Sequence, residues 1–255
     1  MPTPVPLSVV VITKNEEGRL ADCLESVRWA AELIVVDDFS TDRTLEVAHR
    51  YTARVVQRRM EVEGCHRNEA YALATEEWIL SLDADERVTP ALRDEIAALL
   101  PSQSPLNGYT IPRRNYLGAR WLQHGGFYPS AQLRLFRAGH FKYEEVEVHP
   151  RAFLDTETGH LRGDILHYSY RNLEDFAGKL NRQTTLEAMK WLKANRPLGV
   201  GTGLWRTVDR FARTYWGKEG HRDGLAGFIM AVLGGMYQFV TLCKHWTTRR
   251  PCAPR

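Results

Sequence analysis

Asp83-Ala84-Asp85-Glu86 places three carboxylates within four positions. Such groups repel one another and are costly to desolvate, so folding alone gives no reason to gather them. A divalent cation offsets the repulsion, and hard oxygen ligands suit Mg2+ or Mn2+. A cation held there would bridge the two phosphates of a nucleoside diphosphate and stabilise its charge as it leaves. Taken alone, the motif is evenly balanced between that chemistry and a solvated acidic turn in which Glu86 caps a helix. It directly follows the apolar run Trp78-Ile79-Leu80-Ser81-Leu82. That run reads as a strand ending at Asp83, which tips the balance toward a site.

Other residues suit complementary tasks. Asp37 can accept from a base N–H or a ribose hydroxyl, whereas Asp42 reads more readily as a helix N-cap. Thr13 and Glu16 divide between turn chemistry and contact with a base. Transfer to a hydroxyl acceptor needs a general base. The segment 144–149 (EEVEVH) offers Glu145 and Glu147 on one side of an extended strand. Its alternative is an exposed edge strand with solvated charges. His167 follows an apolar strand and is either a metal ligand through a ring nitrogen or a satisfied structural histidine. Arg113, Arg114, Arg134 and Arg137 bracket glycine-containing loops, and their forks suit phosphate or carboxylate as well as solvent. No G-x-G-x-x-G is present, which disfavours a dinucleotide cofactor.

The elements that must position these groups follow from the apolar pattern. Strands are expected at 7–13, 33–36, 53–57 and 78–82, with helices at 20–27, 44–51, 68–77 and 92–100. Alternation of this kind gives an α/β fold, a mostly parallel sheet with helices on both faces. Ligands then bind beyond the carboxyl ends of the strands, where Thr13, Asp37 and Asp83 fall. After the break at 101–105 (PSQSP), strands at 109–113, 133–136 and 165–168 and a helix from 173 to about 192 are expected. From 224 to 243 the chain is apolar except for Gln238 and Thr241. That length suits a membrane span, a helix lying in the membrane interface or a buried packing helix. Gly227, Ala231 and Gly235 form a small-residue face suited to close packing, and the basic residues that follow suit anionic lipid.

The 255 residues carry a net charge of +3, with no basic stripe interleaved with aromatic residues that would indicate nucleic acid. Four cysteines, none in a C-x-x-C pair, read as reduced thiols rather than a zinc or redox site. The proline-rich start lacks the pattern of a secretory signal, so a cytoplasmic protein is expected.

Several segments in series resemble glycosyltransferase family 2: SVVVITKNEE (8–17), IVVDDFSTDRT (34–44), RNEAYALA (67–74) and WILSLDADERV (78–88). GGFYP (125–129), LRLFR (133–137), LHYSY (166–170), KLNR (179–182) and RDGLAGFIMAVL (222–233) are similar to the lipopolysaccharide core glycosyltransferases of that family. The resemblance covers nearly the whole chain. It implies a GT-A, Rossmann-like fold with a nucleotide-sugar-binding half at 1–100, an acceptor and catalytic half at 101–170, and a helical C-terminal extension at 171–255. It places Thr13, Glu16, Asp37, Arg67, Asn68 and Asp83 at the nucleotide-sugar donor, and Asp83 and Asp85 at a divalent metal, Mg2+ or Mn2+, whose shell His167 is expected to complete. The implied reaction is a single displacement with inversion, from a UDP-sugar to a lipid-linked envelope glycan such as lipopolysaccharide core. Many relatives carry His-Glu where this chain has His149-Pro150, so the base is expected at Glu145, with Glu147 second. A glycolipid acceptor implies peripheral contact with the cytoplasmic face of the membrane through 224–250. Three other readings stay open: a peptide or protein acceptor, a silent protein that binds nucleotide sugars without turnover, and a nucleotidyltransferase outside the family, which also uses acidic pairs on an α/β sheet.

Overall fold

The computed structural model of the protein describes residues 4–102, 104–145, 151–194 and 199–249. In chain order the elements are β1 (Val5–Thr13), α1 (Leu20–Glu25), β2 (Ala30–Asp37), α2 (Thr44–His49), β3 (Val55–Gln57), α3 (Glu63–Tyr71), β4 (Trp78–Asp83), β5 (Glu86–Val88) and α4 (Pro90–Leu99). There follow β6 (Gly108–Ile111), β7 (Arg113–Leu117), β8 (Arg120–Trp121), β9 (Gln132–Arg137), β10 (Phe141–Tyr143), β11 (Ala152–Leu154), β12 (Gly159–His160) and β13 (Ile165–Tyr170). Three helices complete the chain: α5 (Leu173–Lys193), α6 (Val200–Ala212) and α7 (Gly224–Arg249). The chain divides into two compact units, Met1–Arg114 with Ser130–His167, and Asn115–Pro129 with Tyr168–Arg255.

The first unit is built on a seven-stranded sheet in the order β12-β6-β9-β4-β1-β2-β3. Strands β1 to β4 are mutually parallel, and β9 runs antiparallel to β4 and β6. The mostly parallel α/β architecture expected from the alternating pattern is what forms. Its core follows the two-residue period of a strand. Val9, Val11, Leu80 and Leu82 point to one face, where α1 and α4 supply Leu20, Leu24, Leu92 and Ile96. Val10, Ile34, Val36 and Ile79 point to the other, with Ala70 and Tyr71 of α3 and Phe136 of β9. Both faces are covered, which is why these strands read as continuous apolar runs.

Register places the candidate groups. Thr13 pairs with Asp37, Ile12 with Asp83, and Asp37 with Gln57. The ends of β1, β2, β4 and β3 therefore lie level at one edge of the sheet.

Helix α3 and the strand expected at 109–113 differ from expectation. Helix α3 spans Glu63–Tyr71 rather than 68–77. The backbone of 75–76 is held as a turn because Glu32 accepts from Thr75 N at 2.8 Å and Ser8 Oγ accepts from Glu76 N at 3.0 Å. Gly64 permits the earlier start, since a Cβ there would lie 1.8 Å from the Glu144 carbonyl oxygen. The strand expected at 109–113 is divided at Pro112 into β6 and β7. Proline donates no backbone bond, and its carbonyl accepts instead from Ile165 N at 2.9 Å.

The second unit is mainly helical. Leu122, Phe176, Ala226, Met230 and Leu233 form its core. Helix α5 begins where Asn172 Oδ1 accepts from Asp175 N at 2.8 Å. Helix α7 is 26 residues long, and among the described residues one helix has the length and composition to cross a membrane, over Gly220–Thr248. Helix α6 has no counterpart in the sequence reading.

Candidate active site at the strand ends

Strand β4 ends at Asp83, and the chain then turns sharply into β5. The turn is closed by Asp83 N donating to Glu86 Oε2 at 3.0 Å and by Ala84 N donating to Ile12 O at 3.3 Å. Glu86 is fully buried. Its carboxylate is an internal strut rather than a solvated cap.

Guanidinium groups compensate the acidic turn. Arg134 Nη2 lies 2.6 Å from Asp83 Oδ2 and 2.7 Å from Glu86 Oε1. Arg67 reaches Asp83 Oδ1 at 3.1 Å, and Arg113 reaches Glu86 at 3.3 Å. Burial alone pushes the Asp83 carboxyl up. The charges of Arg134 and Arg67, with the Arg134 hydrogen bond, outweigh it and hold the group well below the usual carboxylate range. The reverse holds for Arg134: burial opposes its charge, and Asp83 and Glu86 more than restore it. Burial raises the Cys23 thiol, and Glu86, Asp85 and Asp83 raise it further.

Asp85 is placed differently. Its carboxylate lies 3.9 Å from Arg19 Nη1 and 3.6 Å from His167 Nε2. His167 reaches it because β13 pairs antiparallel with β5, His167 opposite Glu86. Burial lowers the His167 pKa to about 4, against the pull of Glu86 and Asp83, so the imidazole is neutral near pH 7.

The donor set can be tested against a divalent ion. Among the described residues no group of three or more His, Cys, Asp or Glu side chains could hold one alone. Both Asp83 oxygens face guanidinium groups. Asp85, with Arg19 3.9 Å from one oxygen, faces His167 with the other, the two facing atoms 3.6 Å apart. Neighbouring ligands of an octahedral ion at 2.0–2.1 Å lie about 3 Å apart, and Mg2+ commonly takes one or two protein ligands, with substrate phosphates and water completing the shell. A carboxylate and a neutral imidazole at this spacing fit an ion shared with a bound diphosphate.

The remaining candidates separate by partner. Asp37 is buried and accepts from Ser40 N at 2.9 Å, from Ser40 Oγ and from Gln57 Nε2 at 3.3 Å. Thr13 Oγ1, level with it in register, is buried with no hydrogen-bond partner among the described residues. Both Glu16 oxygens are gripped by Arg19 at 2.6 Å. Asp42 accepts from Thr44 N at 3.0 Å and Glu17 N at 3.2 Å, bonds that tie the turn before α2 to the loop after β1, while Arg43 holds the N-cap position. Asn68 exchanges two bonds with the Tyr143 backbone, at 2.9 and 2.8 Å, and so fixes β10 against α3. Glu145 is exposed and ion-pairs with Lys142 at 2.7 Å. Glu147 lies outside the described residues, as do His149 and Pro150.

Arg19 drew no notice in the sequence, and Arg113 and Arg134 were read as phosphate forks or surface. The carboxylates that Arg113 and Arg134 hold lie 27 to 51 positions away in the chain, and Arg19, besides gripping Glu16, comes within 3.9 Å of Asp85, 66 positions on, so no local pattern signals these contacts. Arg137 and Arg114 serve elsewhere, on Glu77 and Asp164. Phe39 is a further unforeseen feature: a ring 45% exposed just past the end of β2, with Arg59 5.2 Å from its centroid.

Comparison with known proteins identifies the family. Residues 8–153 match the family model described as Glycosyl transferase family 2. The chain is 30% identical over 247 residues to the lipopolysaccharide core biosynthesis glycosyltransferase LpsC of Rhizobium meliloti (strain 1021), covering 94% of this chain and 92% of that one. It is 23% identical over 250 residues to the uncharacterized glycosyltransferase RT0209 of Rickettsia typhi, covering 93% and 86%. Among solved structures it is similar to S. aureus TarS 1–349, with a TM-score of 0.49 at 18% identity, covering 95% of this chain and 89% of that one. With the family's model matched from the first strand through the acidic turn and beyond, and LpsC alike over almost the full length of both chains, this protein belongs to glycosyltransferase family 2.

Proposed function

We propose that the protein transfers a hexose from a nucleotide-diphosphate sugar, a UDP-sugar, to a lipid-linked cell-envelope glycan of the lipopolysaccharide core type, with inversion at the anomeric carbon. The observation that carries the reading is Asp85 facing a neutral His167 at 3.6 Å, beside an Asp83 caged by Arg67 and Arg134. Asp85 and His167 would hold Mg2+ or Mn2+ together with the donor diphosphate. Bound there, the ion supplies Lewis-acid stabilisation of the departing phosphate charge.

The chain's own groups do the rest. Arg67 and Arg134 keep Asp83 ionised and fixed in position, and Glu86 holds the turn that presents Asp85. Thr13 and Asp37 bind the nucleoside at the ends of β1 and β2, and Glu16, Arg67 and Asn68 shape that pocket. A carboxylate of the 144–149 segment, Glu145 or Glu147, takes the acceptor proton. Residues 1–100 serve the donor, 101–170 the acceptor and the chemistry, and 171–255 the membrane. The acceptor reading draws on the likeness to LpsC, whose name states core biosynthesis. A lipid-linked acceptor places the protein at the cytoplasmic face of the membrane, in contact through 224–250.

The test is release of nucleotide from a panel of UDP-, GDP- and ADP-sugars with Mn2+, alongside the glycolipid profile of a deletion strain. Turnover of a UDP-sugar that EDTA abolishes, with a truncated core in the deletion strain, is expected. EDTA-insensitive turnover removes the metal from the reading, and an unchanged glycolipid removes the acceptor.

A further inference from the structure

Helix α6 wears its pattern inside out. Val200, Leu204, Trp205 and Val208 recur at helical spacing and are all exposed, Trp205 to 68% and Val208 to 60%. The side turned to α7 is a seam of small residues instead. A Cβ on Gly203 would lie 2.3 Å from Leu242, and one on Gly235 would lie 3.2 Å from the Thr207 carbonyl. The charged residues Arg206, Asp209, Arg210 and Arg213 occupy the third face. A helix stabilised by burying its apolar stripe would be turned the other way.

Helix α7 carries a matching stripe. Leu225, Phe239 and Trp246 fall at multiples of seven residues, with Phe228 and Met236 between them, and all five are exposed. The contacts Gly203 to Leu242, Thr207 to Gly235 and Phe211 to Phe228 show that the two helices run antiparallel. With about 100° per residue, each stripe is rotated from the shared seam toward the same side of the pair. The Phe211 and Phe228 rings, 6.0 Å apart, meet where the stripes join, and Trp216 packs edge-on against Phe211 at 5.5 Å. The result is one continuous apolar face containing three tryptophans.

The opposite side of α7 belongs to the folded unit. Lys244 Nζ donates to Asn181 O, Thr184 Oγ1 and Thr185 Oγ1 of α5 at 2.6, 2.9 and 2.7 Å, and Thr241 and His245 are buried. Spanning the bilayer would tear these groups from α5 and leave a charge in hydrocarbon. The cations decide what covers the exposed face. Arg206, Arg210, Arg213, Lys218 and Arg222 stand against Asp209, Glu219 and Asp223, and Asp223 is turned inward onto His124 and the backbone of 123–124. A second copy would bring the same positive excess against itself, whereas anionic lipid neutralises it. Tryptophans at the apolar surface and basic residues on the polar side are the chemistry of a helix lying in a headgroup layer.

We propose that α6 and α7 together form a monotopic docking face that lies flat on an anionic membrane surface, with α6 supplying Leu204, Trp205 and Val208 to the bilayer. The inference deepens the reading of a membrane-borne acceptor and rests on it, but its test needs no acceptor. The full-length protein should sediment with vesicles of phosphatidylcholine and phosphatidylglycerol, less so at high salt, and only weakly with phosphatidylcholine alone. A Trp205→Glu, Val208→Glu variant should bind anionic vesicles about tenfold more weakly or worse, with circular dichroism and nucleotide binding unchanged. Phe239→Glu should act in the same direction. Alkaline carbonate should release the protein from cell membranes. Failure of the parent protein to bind anionic vesicles overturns the proposal. So does resistance to carbonate, which signals a span, or a dimer in light scattering that the Trp205→Glu, Val208→Glu variant dissolves. Vesicle binding without transfer to any glycolipid would refute the acceptor reading and leave this face standing.

Discussion

The carboxyl edge of the sheet and the α6–α7 face break the usual division of residues in opposite senses. At the first, Asp83, Glu86, Arg67 and Arg134 are charged and largely withdrawn from water. At the second, Trp205, Val208 and Leu225 are apolar and lie in it. Each departure has a cost that folding alone does not return. Buried charge needs a partner of opposite sign, and exposed apolar surface needs a cover. The first unit has its partners within the chain, so its charges are a rigid, preorganised frame. The second leaves Trp205, Val208 and Leu225 exposed, and the proposed cover for them is a membrane surface. A buried polar cluster therefore points to chemistry done in place, and an exposed apolar face points to where that chemistry is delivered.

The contrast can be broken most decisively at Asp85. Asp85→Asn keeps the shape but weakens the group beside His167, and metal-dependent turnover of the UDP-sugar should fall by at least about a hundredfold. Its melting temperature should stay close to that of the parent. Asp83→Asn should instead lower the melting temperature, because Arg67 and Arg134 lose their shared partner; equal behaviour of the two variants would erase the distinction between frame and ligand.

Arg134→Met tests the frame from the other side. It leaves Asp83 and Glu86 buried with less compensation, and the expected loss is about 3–5 kcal/mol of unfolding free energy in denaturant titration. A loss below about 1 kcal/mol would mean that water or Arg67 takes over.

The His167 environment predicts a pH window. Its folded pKa, about 4, lies below the ordinary 6.5. Between these values the unfolded chain binds a proton that the folded chain does not. Stability is therefore full above about 6.5, declines as pH falls toward 4, and is insensitive to this group below it. In metal-free protein, His167→Gln should flatten the melting-temperature profile across that window.

The smallest effect belongs to the docking face. Trp205→Glu removes exposed surface, so stability should change by no more than about 0.5 kcal/mol. A large loss would show that the stripe is packed in solution and the contrast is false.

The strand ends were legible because each signal is local. Apolar runs end at Thr13, Asp37 and Asp83, and parallel pairing brings such ends level whatever surrounds them. The docking face was only half legible. The length of 224–243 pointed to a membrane, but α6 went unread: its stripe spans only nine residues between Gly199 and Asp209, and an apolar pattern does not say whether it faces a core or solvent. The end of α3 is not legible in the sequence because Ser8 and Glu32, more than 40 positions away, capture the backbone at 75–76.

What the sequence determined by itself was the four parallel strands β1 to β4, the acidic turn at the end of β4 and the family whose motifs it carries, since each rests on neighbours in the chain. Tertiary structure decided which carboxylate the guanidinium groups hold, Asp83, and which one faces His167, Asp85. Arg19, Arg67, Arg113, Arg134 and His167 arrive from separate strands, helices and loops, and electrostatic compensation depends on distance in space. It also decided which way α6 turns its apolar stripe, because the small-residue seam at Gly203 and Gly235 lets the helices close on the side where α6 has least to bury.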